Sequence, residues 1–193
     1  MIKKTKIPKK VLNYLDKSRI NHKILEHKTV YTAIDTALTM KKKLAEIAKS
    51  LLVKADQDYY LVLLPADYNL DLEKLRKVIS KAHQKDIKIV KIPGEKMVEN
   101  TLKVKTGAMS AFGNLHKVPV IVEKNLEKLK KAVFSAGSFN HSLELAVKDF
   151  IKLEKAISGS FGKKKKVKII KPKNKIVKKK KIIKKKKAGQ KKK

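Results

Sequence analysis

The chain has 193 residues, and its 51 lysine and arginine residues exceed its 17 aspartate and glutamate residues by 34. It has no cysteine, which excludes disulfide bonds, thiolate metal ligands and thiol nucleophiles. So strong an excess of positive charge indicates polyanionic partners, with nucleic acid first and an anionic membrane surface second. The sequence shows neither a secretory signal nor the roughly 18 apolar residues of a membrane span, so we expect a cytoplasmic protein.

Apolar patterns before residue 163 predict helices and strands that alternate irregularly. In chain order they are a helix at 7–20, a strand at 23–26, a helix at 32–40, a hairpin of strands at 47–54 and 59–64, a helix after Asp71, a strand at 87–90, a helix at 95–102, a strand at 118–122, a helix at 125–131, strands at 132–135 and 143–147, and a helix at 148–157. Thr32, Asp71 and Asn125 are candidate N-caps. The irregular spacing argues against a doubly wound parallel sheet and predicts a single α+β domain with a mixed, curved sheet flanked by helices.

The last part of the chain differs in composition, because residues 163–193 contain 19 lysines and no acidic residue. Such a segment buries too little apolar surface to offset the entropy lost on ordering. We therefore predict a domain at 1–162 and a lysine-rich disordered tail at 163–193. The tail is either a solubilising, generally nucleic-acid-binding extension or an amphipathic element on a polyanion, since pairs of isoleucine and valine recur in it.

Lys49 stands inside the apolar strand at 47–54, on the face that it shares with Leu51 and Val53. The next strand, at 59–64, is apolar on both faces, which is typical of a strand that is covered on both sides. Lysine is almost never fully buried without a partner, so this position indicates a cleft that receives an anion. The alternative is a side chain that runs along the apolar face and places its ammonium group in solvent.

Two segments of small residues accompany this strand. The first, at 107–113, is bounded by glycines, whose backbone N–H groups can approach a ligand closely. The second, at 135–141, is small and polar and follows an apolar strand. Each segment alone is weak evidence for a binding site, because such segments are usually turns.

Taken together and in this order, KSLLVKA at 49–55, GAMSAFGN at 107–114, SAG at 135–137 and KDF at 148–150 resemble the YbaK/EbsC family. The same domain occurs as the editing insertion of bacterial prolyl-tRNA synthetases and in free-standing ProXp-type deacylases. The resemblance covers roughly residues 11–153 and leaves out the tail. It implies a partly barrel-like sheet and a small protein, expected to be a monomer, that needs no cofactor or metal.

The activity implied by the resemblance is hydrolysis of mischarged aminoacyl-tRNA, most typically tRNA(Pro) carrying alanine or cysteine. A synthetase pocket rejects a smaller amino acid only ~10–200-fold, because one methylene is worth ~1–3 kcal/mol, and a second, hydrolytic pocket supplies the remaining accuracy. The sequence has no Cys/His metal-ligand spacing and no evident His–Ser–Asp arrangement, although folding can assemble one. Activated water is the attacking group that remains.

The resemblance also assigns roles to residues. Lys49, the catalytic candidate, contacts the phosphate or ribose of the terminal adenosine and steadies developing charge, while the two small-residue loops line the pocket and position water or the substrate amine. The substrate-binding candidates are Tyr31, Gly107, Ser110, Phe112, Gly113, Ser135, Ala136, Gly137 and His141. The alternatives are core packing for Tyr31, loop packing for Ser110 and Phe112, and a surface position for His141. His116 is a further pocket candidate.

The leading interpretation is a trans-editing aminoacyl-tRNA deacylase whose domain holds the CCA end while the tail binds the tRNA backbone or other polyanions. A second interpretation is a non-catalytic RNA- or DNA-binding protein that reuses the fold. A third is attachment to an anionic membrane surface through the tail.

Overall fold

The computed structural model describes residues 7–105 and 107–165; the predicted tail from residue 166 onward lies outside the described residues. The described part forms six α-helices: α1 (Lys9–Ser18), α2 (Ala33–Thr39), α3 (Leu72–His83), α4 (Glu95–Leu102), α5 (Lys124–Glu127) and α6 (Val147–Glu154). Its ten strands are β1 (His22–Glu26), β2 (Ala48–Ala55), β3 (Asp58–Pro65), β4 (Tyr68–Leu70), β5 (Val90–Lys91), β6 (Val120–Glu123), β7 (Lys131–Ser135), β8 (His141–Ala146), β9 (Ile157–Gly159) and β10 (Gly162–Lys164). No helix in this part is long and apolar enough to cross a bilayer.

The strands form three sheets. The largest is a mixed sheet in the order β5-β2-β3-β6-β9, in which β5, β2 and β3 are antiparallel neighbours and β3, β6 and β9 are parallel. An antiparallel sheet has the order β1-β8-β7, and β4 pairs with β10. A bridge between Ile47 and Val133 joins the start of β2 to β7. The α+β class with a mixed sheet is confirmed, although the strands are divided among three sheets rather than held in one.

Two predicted helix starts are confirmed by side-chain caps. Thr32 Oγ1 accepts a hydrogen bond from the Asp35 N–H at 3.1 Å, and Asp71 Oδ1 accepts one from the Lys74 N–H at 3.1 Å. These bonds satisfy N–H groups that have no partner inside a helix. The start of α5 differs, because the carboxylate of Glu123, and not Asn125, caps the helix.

Apolar cores lie on both faces of the mixed sheet. Leu61 and Leu63 of β3 pack in the core that includes α1 and α6, whereas Val62 and Leu64 pack in the core under α3. This two-sided burial explains why β3 is apolar on both faces from Leu61 to Leu64. Lys49 pairs with Leu64 across the hairpin, so its side chain lies on the α3 face of the sheet, with Leu64 and Val53.

The C-terminal boundary differs from the expected one. Lys163 and Lys164, assigned from composition to a disordered tail, belong to β10 and pair with β4. The ring of Phe161 is fully buried. The carboxylate of Glu123 is also fully buried and accepts hydrogen bonds from the N–H groups of Phe161 and Gly162, both at 2.6 Å. Ordering at this point therefore comes from partners far upstream, which local composition does not encode.

We expect Glu123→Ala to lower the free energy of unfolding by roughly 2–4 kcal/mol, because the buried N–H of Phe161 and the partly buried N–H of Gly162 lose their acceptor, and an unsatisfied buried group costs ~1–3 kcal/mol. Urea denaturation measures the change. Glu73→Ala is the matched control, since the Glu73 side chain is 77% exposed and its removal should change stability by less than about 0.5 kcal/mol. Equal losses in the two variants would show that the Glu123 carboxylate does not hold β10.

Candidate functional site

A cavity of about 430 Å³ opens between the mixed sheet and the β1-β8-β7 sheet. Its walls come from β2, from β7 and β8, from the N-terminal end of α2, and from the segment that leads into α4. This volume lies within the ~300–1,000 Å³ that is typical of small-ligand pockets.

One wall is an uncovered edge of the mixed sheet. β5 pairs with β2 only at Lys54 and Ala55, and the bridge to β7 falls at Ile47. Between these points no described strand pairs with the edge, and residues 47–52 line the cavity. An interruption in the sheet therefore creates the opening.

The backbone along this edge presents hydrogen-bonding groups to the cavity. The Leu61 N–H donates to the Pro119 carbonyl on the far side of β3. In an antiparallel ladder its partner Leu52 then directs its own N–H and C=O away from β3, and Ser50, two residues away, does the same. Ser50 Oγ is also buried and has no hydrogen-bond partner within the described residues. Donors and acceptors are thus held ready for a ligand or water.

The opposite wall carries hydroxyl groups and an imidazole. Ser135 of β7 and Ser142 of β8 are cross-strand partners, and both line the cavity with Ser138. His27, which directly follows β1, places Nε2 3.0 Å from Ser142 Oγ. Its Nδ1 lies 2.8 Å from the backbone carbonyl oxygen of Lys28.

These contacts determine the hydrogen-bonding direction of the neutral histidine. The Lys28 carbonyl can only accept, so Nδ1 of His27 carries the proton. Nε2 then accepts the hydrogen bond from the Ser142 hydroxyl. Hydrogen bonds thus join Ser142, His27 and the Lys28 carbonyl in that order. Such an arrangement can activate a hydroxyl group.

Lys49 is half-buried and borders the cavity. Its Nζ donates a hydrogen bond to the Tyr68 carbonyl oxygen at 2.9 Å. Burial and, to a smaller extent, the positive charge of Lys165 lower the pKa of Lys49 to about 8. The ammonium group is therefore held by a neutral carbonyl, and an anion would stabilise it.

The mouth of the cavity is aromatic on one side. Tyr31 lines the cavity and is 71% exposed, and its ring centroid lies 5.2 Å from that of Phe139. Gly107 also lines the cavity and has a φ of 91°. A Cβ at this position would lie 3.1 Å from the Phe139 ring, so both backbone conformation and space favour glycine.

Four of the ten predicted site residues, Lys49, Tyr31, Gly107 and Ser135, border the cavity. The other six are not among the described residues that line it: Ser110, Phe112, Gly113, Ala136, Gly137 and His141.

Their surroundings explain these positions. Phe112 and Ala136 are fully buried in the core, and a Cβ on Gly113 would lie 2.3 Å from the Val118 carbonyl oxygen. Ser110 Oγ lies 3.2 Å from Nε2 of the other histidine candidate, His116. Burial lowers the pKa of that histidine.

The remaining two belong to the second small-residue segment. Gly137 has a φ of 77°, and its N–H donates to Ser135 Oγ at 3.3 Å. His141 Nδ1 lies 2.9 Å from Asn140 Oδ1. Because neighbouring residues of a strand point to opposite faces, Ser142 rather than His141 faces the cavity.

Sequence reasoning missed His27, Ser142 and the segment that leads into α4. His27 and Ser142 are 115 positions apart, and no local pattern links them. The described residues contain no group of three or more histidine, aspartate or glutamate side chains placed to hold a metal ion.

Comparison with known proteins relates this geometry to a family. The family model described as the aminoacyl-tRNA editing domain matches residues 27–153. The prolyl-tRNA editing protein ProX of Acetoanaerobium sticklandii is 26% identical over 157 residues, which cover 78% of this chain and 92% of that protein.

Two crystal structures share the fold. That of the hypothetical protein APE2540 is 18% identical with a TM-score of 0.69, covering 80% of this chain and 99% of its own. That of a candidate trans-editing enzyme for prolyl tRNA synthetase is 17% identical with a TM-score of 0.68, covering 80% of this chain and 96% of its own. The matched family region contains His27, Lys49 and Ser142 and ends before β9 and β10.

Proposed function

The chain belongs to the aminoacyl-tRNA editing domain family, and from this premise we propose that it is a trans-editing deacylase for tRNA(Pro) mischarged with alanine or cysteine. The names of two similar proteins, a prolyl-tRNA editing protein and a candidate trans-editing enzyme for prolyl tRNA synthetase, support this choice of tRNA. The small amino acids follow from the limit that a synthetase pocket meets when it must reject a substrate smaller than its own.

The observation that carries the proposal is the cavity itself. It places an uncovered strand edge opposite the Ser135 and Ser142 hydroxyls, with Lys49 at its border. An aminoacyl ester needs an acceptor for its amine, donors for its carbonyl oxygen and a polarised water. The strand edge and the hydroxyl wall offer all three kinds of group.

We assign the proton transfer to His27 and Ser142. Water that donates a hydrogen bond to Ser142 Oγ loses its proton to that oxygen while the Ser142 proton moves to His27 Nε2, and the water oxygen bonds to the ester carbonyl carbon. When the tetrahedral intermediate collapses, the bond from carbon to the ribose oxygen breaks. The imidazolium then returns the proton through Ser142 to the leaving ribose oxygen. General base and acid catalysis of this kind contributes ~10²–10⁴-fold.

The negative charge that develops on the carbonyl oxygen requires donors. The N–H groups of Ser50 and Leu52 are suited to this role because they are fixed by the β2–β3 ladder and need no reorganisation during the reaction. The Lys49 ammonium adds a positive charge at the border of the cavity. The C=O groups of the same edge can accept hydrogen bonds from the substrate amine.

A deacylation panel tests the proposal. We expect Ala-tRNA(Pro) or Cys-tRNA(Pro) to be hydrolysed well above the buffer rate, and correctly charged Pro-tRNA(Pro) to be hydrolysed more slowly. The hydrolysis rate of Ala-tRNA(Ala) shows whether the enzyme recognises the amino acid or the tRNA. If no mischarged species is hydrolysed faster than in buffer, the non-catalytic RNA-binding interpretation replaces this one.

The rate should depend on pH through Lys49. Its ammonium form is lost as the pH rises through a pKa of about 8, so kcat/KM, corrected for hydrolysis in buffer, should fall about fivefold between about pH 8 and pH 9. In Lys49→Arg the guanidinium stays charged and this fall should vanish, whatever the absolute activity. A fall of equal size in the arginine variant would assign it to another group.

The lysine-rich segment is proposed to add affinity for the tRNA backbone. Truncation after Lys165, which keeps β10, should weaken tRNA binding and flatten its salt dependence, since log affinity falls by roughly 0.7–0.9 per unit of log salt for each phosphate neutralised. The single-turnover rate on saturated enzyme should change little. Loss of that rate would mean that the truncated residues take part in the reaction.

A further inference from the structure

Two lysines from distant parts of the chain meet at residues 67–68. Lys49 Nζ donates to the Tyr68 carbonyl oxygen at 2.9 Å. The Lys165 N–H donates to the Asp67 carbonyl oxygen at 2.7 Å, directly after the last pair of the β10–β4 ladder, Lys164 with Tyr68. One short stretch of backbone thus holds both residues.

The positive charge of Lys165 acts on Lys49, since it is the second cause, after burial, that lowers the pKa of Lys49. Within the described residues neither lysine forms an ion pair. Asp67 contributes its backbone carbonyl, while its Oδ1 is buried and makes no hydrogen bond with the described residues. In the part of the chain that the structure describes, no acidic side chain forms an ion pair with either lysine, Asp67 included.

The position of Lys165 is fixed by the fold. The buried Glu123 carboxylate holds the N–H groups of Phe161 and Gly162, and the Asp71 N–H donates to the Phe161 carbonyl at 2.9 Å. This segment lies beyond residue 153, where the family match ends. Lys165 thus lies outside the matched family region, whereas Lys49 lies inside it.

We propose that Lys165 joins Lys49 in binding the backbone phosphate of the 3′-terminal nucleotide, the contact that the family resemblance implies for Lys49, while the aminoacyl group occupies the cavity. The inference rests on the proposed function for the identity of the ligand. One ribose separates a nucleotide's 5′ phosphate from its 3′ ester, and Lys49 lies at the border of the cavity that receives the ester. A phosphate can accept charge-assisted hydrogen bonds from both ammonium groups and removes their repulsion.

Two non-hydrolysable ligands test the site: 3′-alanylamino-3′-deoxyadenosine and its 5′-monophosphate. They differ only in the phosphate. By calorimetry at fixed salt, the wild-type protein should bind the monophosphate more tightly. Lys165→Ala should reduce that preference about 10-fold, the loss expected for one hydrogen bond to a charged group, and should leave the affinity for the nucleoside unchanged.

Lys164→Ala is the matched control, because it removes the same charge from an exposed neighbour whose side chain points to the other face of the strand. It should keep the phosphate preference. Lys165→Gln repeats the measurement with a longer side chain in case alanine disturbs β10. As a second readout, NMR of ¹³C-methylated lysines should show a higher pKa for Lys49 in Lys165→Ala than in the wild type.

Equal weakening of both ligands by Lys165→Ala, no change in either, or the same loss in Lys164→Ala would overturn the phosphate site. The deacylation panel separates this failure from that of the proposed function. A protein that hydrolyses mischarged tRNA but shows no phosphate preference dependent on Lys165 loses only the phosphate site. A protein with the preference and no hydrolysis loses only the reaction.

Discussion

Replacing Lys49 with methionine is expected to lower kcat/KM for deacylation by about 100-fold or more, the size of effect seen when one electrostatic contact to a transition state is removed. The same change should make the protein more stable. Burial lowers the pKa of Lys49 from 10.5 to about 8, so the folded state binds this proton less tightly than the unfolded state does. Below about pH 8 the charged side chain therefore opposes folding, and stability rises as the pH rises from about 8 to 10.5.

Methionine has a similar length and no charge, so it should raise the free energy of unfolding by about 1 kcal/mol at pH 7, after allowance for solvent screening of this half-buried group. Steady-state kinetics and urea denaturation measure the two effects. Lys54→Met, on the same strand but over the Tyr59 ring at 5.6 Å, is the control and should keep its activity. Undiminished activity in Lys49→Met would remove Lys49 from the mechanism.

Replacing His27 with alanine is expected to lower kcat by about 100-fold with little change in KM, because the imidazole is assigned a proton-transfer role and no binding role. Ser142→Ala should have a similar effect. Since the two side chains act as one unit across a 3.0 Å hydrogen bond, the double variant should be no slower than the slower single variant.

A control for this prediction comes from β1, the strand that directly precedes His27. His22, at the start of β1, also places Nδ1 against a backbone carbonyl, that of Ile20 at 2.9 Å, but does not line the cavity; His22→Ala should retain activity. If the effects of His27→Ala and Ser142→Ala multiply in the double variant, the two residues act separately. Mass spectrometry of a quenched single turnover should find unmodified Ser142, and an acylated serine would make it the nucleophile instead.

The parts of the fold that were predicted from sequence depend on local chemistry. The caps at Thr32 and Asp71 and the hairpin around Lys49 follow from residues that are close along the chain, and they are confirmed. The three short strands β4, β9 and β10 were not predicted, because three residues are too few to show a period. For the same reason the helix expected to end at 157 stops at Glu154 and gives way to β9.

Only part of the candidate site was predicted, because its other residues are brought together by strands that are far apart in the chain. Lys49 stands out because its charge interrupts an apolar strand, and Tyr31, Gly107 and Ser135 come from the family resemblance; their roles remain predictions. The pairing of His27 with Ser142 depends on the register of β1 against β8, in which Leu25 pairs with Ser142. Sequence patterns do not specify the register of strands so far apart, and they do not show which side of a glycine-bounded loop faces the cavity.

The edge of β2 has no strand partner between its pairing with β5 and its bridge to β7. This gap affects which molecules can pair with the edge. A strand with free N–H and C=O groups normally recruits other strands and promotes aggregation. Here that edge forms one wall of a cavity of about 430 Å³, so another strand could pair with it only by entering the cavity. The free N–H and C=O groups of β2 are thus left to a small ligand or to water, and the position of the edge inside a cavity lowers the risk of edge-to-edge pairing between molecules.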